Sequence, residues 1–206
     1  MQQALTGTWS RQPHFSIEAL TPLHDLNHRF LDLLAERSGS WLVRERCAET
    51  GGLGRALAAL TTVQRAALGR CPYALFDLRF SDEEHWRDRL ERPPRWRVED
   101  APGAAGELTE FVHLTLFYAW HVASTAQLAA QVLLGMHMRT AQAFRAAALS
   151  ALPALAASEA VELKIRWGTR HAFWSTLIRA ASRGDSARLR RAQLFGLQLA
   201  AAARLP

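Results

Sequence analysis

The chain has 206 residues, 49% hydrophobic and 21% charged, a balance that excludes a disordered or fibrous protein and supplies core for one large domain or two small ones. Its formal net charge of +6 is unevenly spread: residues 1–106 carry 14 arginines against 14 acids, while the last 44 residues carry nine cations against Asp185 alone. A basic end of this kind points to an acidic partner, nucleic acid being the commonest, although arginine outnumbers lysine 24 to 1 and coding bias would give the same excess.

Residues 1–15 show no periodicity and read as a loose arm. Thr21 as N-cap and Pro22 at the first helical position predict a helix over about 22–37, with Leu23, Leu26, Phe30, Leu33 and Leu34 as its apolar stripe and Gly39 as its end. A shorter helix is expected over 41–49, broken by Gly51 and Gly52, and a further helix over 53–68 stopped by Gly69. In the next stretch Phe76, Leu78 and Phe80 alternate with Asp77 and Arg79, the period of a short extended segment near 74–80. Ser81 and Glu84 form a capping box that starts a helix running to about Arg92.

Residues 93–106 are rich in proline and glycine and read as a linker between a charge-neutral helical subdomain, 1–92, and a basic one, 107–206, unless the whole is one domain. From Glu107 to Leu152 the chain runs without proline, and its apolar residues cover nearly every direction of a helical wheel. That predicts a long central helix wrapped by the others. Its uncharged run from Phe111 to Met138 is long enough for a membrane span, yet His113, His121, Gln127, Gln131 and His137 make it too polar, so no membrane span is expected. Two last helices follow, over 158–182 and 186–204, the second capped by Asp185 or Ser186. The fold class is therefore all-α, a multi-helix bundle.

The stretch KIRWGTRHAFWSTLIR, residues 164–179, concentrates two tryptophans, a phenylalanine, a histidine and four cations. On a helix, Leu163, Trp167, Trp174, Leu177 and Ile178 share one face, which points the tryptophans inward. Arg170 falls amid that face, between Trp167 and Trp174, where a guanidinium needs an acceptor from elsewhere. Arg166 has Glu162 four residues before it. In the last helix Ala192, Gly196 and Ala200 make a small face for close packing. Arg188, Arg190 and Arg191 crowd its N-terminus against the macrodipole, the best hint of an anion nearby. Trp167, Arg170, Trp174, Arg183, Arg188, Arg190 and Arg191 are thus the candidate contacts for a partner or anion.

Chemistry is harder to find. His24 and His28 stand at the i, i+4 spacing that can share one metal, and Glu110 with His113 forms an E-x-x-H pair, but no second such pair completes a dimetal set. Asp82 and His85 pair at i, i+3 in the first turn of what reads as an exposed helix. His113, His121 and His137 are the residues a haem would use. There is no nucleophile elbow and no phosphate-binding glycine loop, and Gly184-Asp185-Ser186 reads as a helix cap. Cys47 and Cys71 fit neither a metal site nor a disulfide framework, and no signal peptide is visible, so the cytoplasm is the expected location. Nor does a compact DNA-reading unit show itself: the first half is neutral, and the C-terminal hairpin helices are too long for one.

These features predict a non-enzymatic cytoplasmic adaptor or regulatory protein, a homodimer meeting an acidic protein partner through helix contacts, with no cofactor. Two rivals stand beside it: a nucleic-acid-binding regulator using the basic C-terminal hairpin, and a metal- or haem-dependent ligand-binding protein or enzyme.

Overall fold

The computed structural model describes residues 17–36, 52–94 and 106–202. The expected helix over 41–49, most of the linker and the loose arm lie outside them. The described residues hold ten α-helices and a two-residue antiparallel ladder, so the all-α fold stands. No single helix among them is long and apolar enough to cross a membrane.

At the centre is α5 (Glu107–Thr125), which buries Phe111, Val112, Leu116, Ala119 and Val122. Against it pack α1 (Ile17–Glu36) on one side and, on the other, α6 (Gln127–Leu134), α7 (Met138–Ala146) and α8 (Leu152–Glu159). The expected continuous helix over 107–152 is thus three helices. Ala126 swings out at φ −151°, and Gly135 turns left-handed at φ 72°. A third break comes where Ala147 goes extended, before Pro153 sits in the first turn of α8. Glycine and proline mark two of these breaks. Ala126 carries no local breaker, and tertiary contacts decide there: Gln127 Nε2 donates to the Met138 carbonyl at 3.2 Å and Trp120 Nε1 to that of Ala147 at 3.2 Å.

The N-terminal half differs from expectation in its starts. Helix α1 begins at Ile17, five residues before Pro22, which lies inside it. The turn before Pro22 is held from outside, Tyr118 Oη donating to the Ala19 carbonyl at 2.7 Å. The expected helix over 53–68 is α2 (Leu53–Ala58) and α3 (Thr62–Gly69), because Thr61 and Gln64 form a reciprocal capping box that starts a new helix. Helix α4 (Glu83–Glu91) is capped by Asp82, one residue after the serine expected for the role.

The extended segment is present as β1 (Phe76–Asp77), and its partner is β2 (Lys164–Ile165), with Phe76 opposite Ile165. Here the expected helix over 158–182 fails. Leu163 is extended, Trp167 has φ 52°, and the helical part, α9, starts only at His171 and ends at Ser182. The backbone of this stretch is needed by β1: besides the ladder, the Arg166 N–H donates to the Leu75 carbonyl at 3.0 Å. The last helix, α10 (Ser186–Ala202), folds back on α9. One buried cluster runs through residues from both sides of the linker, from Leu23 to Ala192.

Asn27 ties the segment before β1 to α1. Fully buried, its amide donates to the carbonyls of Gly69, Cys71 and Tyr73 at 3.2, 3.3 and 2.9 Å and accepts from the Leu75 N–H at 2.8 Å. Four backbone groups that would otherwise be buried unmet are satisfied by one side chain.

Candidate functional site

The α9–α10 hairpin forms a cleft. Its turn is tight: Gly184 is left-handed at φ 65°, and the N–H groups of Gly184 and Asp185 return to the carbonyls of Ala181 and Ala180 at 3.1 Å each. Asp185, rather than Ser186, caps α10, its carboxylate accepting from the Arg188 N–H at 2.9 Å. Behind the hairpin, Gly196 lies directly against the Tyr73 hydroxyl, where a Cβ would overlap it. Gln193 Nε2 donates to the Ala67 carbonyl and Gln64 Nε2 to that of Ser182. The expected small face holds, with Ala192, Gly196 and Ala200 all buried.

The open side of the hairpin is a cleft of about 530 Å³. Phe173 and Phe195 line it with ring centroids 6.4 Å apart, and Arg188 and Arg191 rise beside them from α10. Phe195 keeps 50% of its surface exposed. No carboxylate comes within ion-pair distance of Arg183, Arg188, Arg190 or Arg191 among the described residues. The cleft therefore offers one open aromatic face, that of Phe195, over the buried Phe173 ring, and two guanidinium groups outside any ion pair, with Asp185 as the one acid in its lining.

The tryptophans do point inward. Trp174 is buried and donates through Nε1 to the Arg166 carbonyl at 3.0 Å. Trp167, half-buried, packs on Tyr73 and Phe173 with centroids 5.3 and 5.5 Å away. The arginine between them is not the one expected. Arg170 is exposed at the N-cap of α9, because the helical wheel that placed it in the apolar stripe does not begin until His171. Arg166 is buried instead, 7% exposed, stacked 4.4 Å from the Trp167 ring and donating from Nη1 to the Leu133 carbonyl at 2.9 Å. That carbonyl belongs to the last turn of α6, where no intrahelical partner exists, so Arg166 caps α6 from 33 residues away. Burial pushes the Asp77 carboxyl above the usual carboxylate range, against the pull of Arg166 and Lys164.

Comparison with protein-family models, with curated proteins and with solved structures finds no match. The site must therefore speak for itself.

The candidate ligating residues do not converge. Glu110 reaches Arg29 of α1 at 2.8 Å, with His113 half-buried one turn on. The Nε2 atoms of His24 and His28 are enclosed without a hydrogen-bond partner, and His28 Nδ1 stands 3.8 Å from Asp32. Burial, then the Arg70 charge, lower the His24 pKa. Among the described residues no three metal-ligating side chains come together. His85, expected on an exposed helix, is nearly enclosed: its Nε2 is 2.8 Å from the fully buried Glu159, whose other oxygen takes Arg89 Nε at 3.0 Å. This buried charge centre joins residues 74 positions apart, and nothing local in the sequence announces it.

Proposed function

We propose that the chain is a non-enzymatic adaptor or regulatory protein that seats an acidic amphipathic helix of a protein partner in the α9–α10 cleft. The observation that carries this reading is the placing of exposed Phe195, backed by the buried Phe173 ring, with Arg188 and Arg191 in one cleft. Apolar anchors and cations together suit a helix whose faces are leucine-like and carboxylate-rich. A second copy is the poorer occupant, since the last 44 residues carry nine cations against one acid and two such faces repel. A homodimer contact fits better on α5, whose outer side exposes Leu114 and Phe117 and carries no charge between Phe111 and Thr125. The cytoplasm is the location that goes with two cysteines outside any disulfide pattern.

The test is fluorescence anisotropy with a labelled Glu/Leu amphipathic peptide and its Lys/Leu counterpart. The acidic peptide should bind, and Arg188→Ala with Arg191→Ala should weaken it at least tenfold, about 1.4 kcal/mol. Equal binding of both peptides, or of neither, refutes the cleft. The rival reading, nucleic-acid binding by Arg183, Arg188, Arg190 and Arg191, rests on their exposure around the start of α10. It requires a steep fall of DNA affinity with salt that these substitutions flatten.

A further inference from the structure

The three helices that replace the expected central rod contain a second feature, independent of the cleft. Helix α6 is eight residues long, α7 is nine, and three residues, Gly135 to His137, separate them. Gly135 is left-handed, and a Cβ there would meet the Arg166 guanidinium, so both backbone and space demand glycine. Met136 is a buried plug under the turn, and the His137 N–H is fixed to the Phe80 carbonyl at 3.0 Å. Gln127 clips the start of α6 to the start of α7, while Arg166 caps the end of α6. Thr140, Ala141 and Phe144 bury the inner face of α7, Phe144 lying 4.8 Å from Trp86. Two short helices, a glycine-bearing three-residue turn and a second helix held by its inner face are the parts of a helix-turn-helix.

The outer face of α7 carries the chemistry. Between Glu110 and Glu159 the sequence has two charged residues, Arg139 and Arg145, and both stand exposed on α7 with Gln142 between them. Arginine pairs bidentately with guanine and glutamine with adenine in the major groove. Glu83 of α4 lies against this face, 3.0 Å from Arg139 and 3.3 Å from His137, but Arg139 is 72% exposed, so that ion pair is weakly held and yields to a better acceptor. We infer that α6 and α7 form a helix-turn-helix that presents Arg139, Gln142 and Arg145 to the major groove of double-stranded DNA.

The experiment is selection of bound duplexes from a random-sequence DNA pool by the full-length protein, followed by salt titration on the enriched sequence. A defined motif should emerge. Gln142→Ala should relax preference at one position about tenfold, and Arg139→Lys should keep general affinity while losing base preference at another. Arg145→Ala should relax preference at a third position. All three side chains are exposed, so the variants should melt with the wild type. No enriched motif, or a motif unchanged by Gln142→Ala and Arg139→Lys, overturns the assignment. DNA binding that depends on Arg188 and Arg191 but not on α7 overturns it equally and moves the interface to the hairpin.

Discussion

Replacing Arg166 by alanine removes three things at once. The charged hydrogen bond to the Leu133 carbonyl is worth about 1.5–3 kcal/mol. The stack on Trp167 adds about 1–2 kcal/mol in this desolvated setting. Asp77 also loses the strongest charge that favours its ionised form. These overlap, so a loss of about 2.5–4 kcal/mol is expected. For a chain of this size it lowers the melting temperature by roughly 10 °C. Arg191→Ala, at an exposed position, should change stability by no more than about 0.5 kcal/mol. The loss should also depend on pH. The folded Asp77 carboxyl titrates above its unfolded value, so it detracts from stability at neutral pH and ceases to do so as pH falls below the unfolded pKa. Without Arg166 that value rises further, so the difference between variant and wild type should shrink from pH 7 towards pH 4. Urea denaturation of both variants across that range is the assay. Equal stability of Arg166→Ala and Arg191→Ala, or a difference that does not move with pH, refutes the buried-cap reading.

Gly196→Ala puts a methyl group onto the Tyr73 hydroxyl and should destabilise the fold by about 1–3 kcal/mol in the same denaturation, whereas an unchanged midpoint would mean that α10 shifts freely on Tyr73. Burial pushes the Cys71 thiol up to about 12, some three units above a free cysteine, which cuts its thiolate fraction about a thousandfold. In a Cys47→Ser background, native Cys71 should therefore alkylate on the order of a thousandfold more slowly than the unfolded chain. A rate near that of a free thiol would show the site open.

What the sequence revealed was what periodicity encodes. The stripe of α1, the alternation at β1 and the small face of α10 each follow from one local pattern, and each is found; the tryptophans lie inward too, but Trp167 does so from a turn at φ 52° and not from the helix whose wheel placed it. What escaped were contacts made at long range. Arg166 and Arg170 look alike from the helical wheel, and only the pairing of β1 with β2 decides which is buried. The signal for that break was present in Gly168, two residues before Arg170. The capping box at Thr61 and Gln64 was legible and passed over inside an apolar run. Asn27, enclosed by four backbone partners, and Glu159, clasped by His85 and Arg89, have no local signature. Their partners lie 42 to 74 residues away. The unit from α6 to α7 was hidden because a proline-free run of apolar residues satisfies one long helix as readily as three short ones.

The β1–β2 ladder has a bearing on how the protein is made. Phe76 comes off the ribosome 89 residues ahead of Ile165, its partner in the ladder. At about 5–20 residues per second that interval is roughly 4 to 18 seconds. Helix α6 is finished about two thirds of the way through that time, yet the arginine that caps it has not been synthesised. The neutral half of the chain thus waits with Phe30, Phe76 and Phe80 unsealed until the basic half arrives, and closure of the core waits for residues 163–166. A nascent chain stalled before residue 163 should be a substrate for holding chaperones, while one released whole should not.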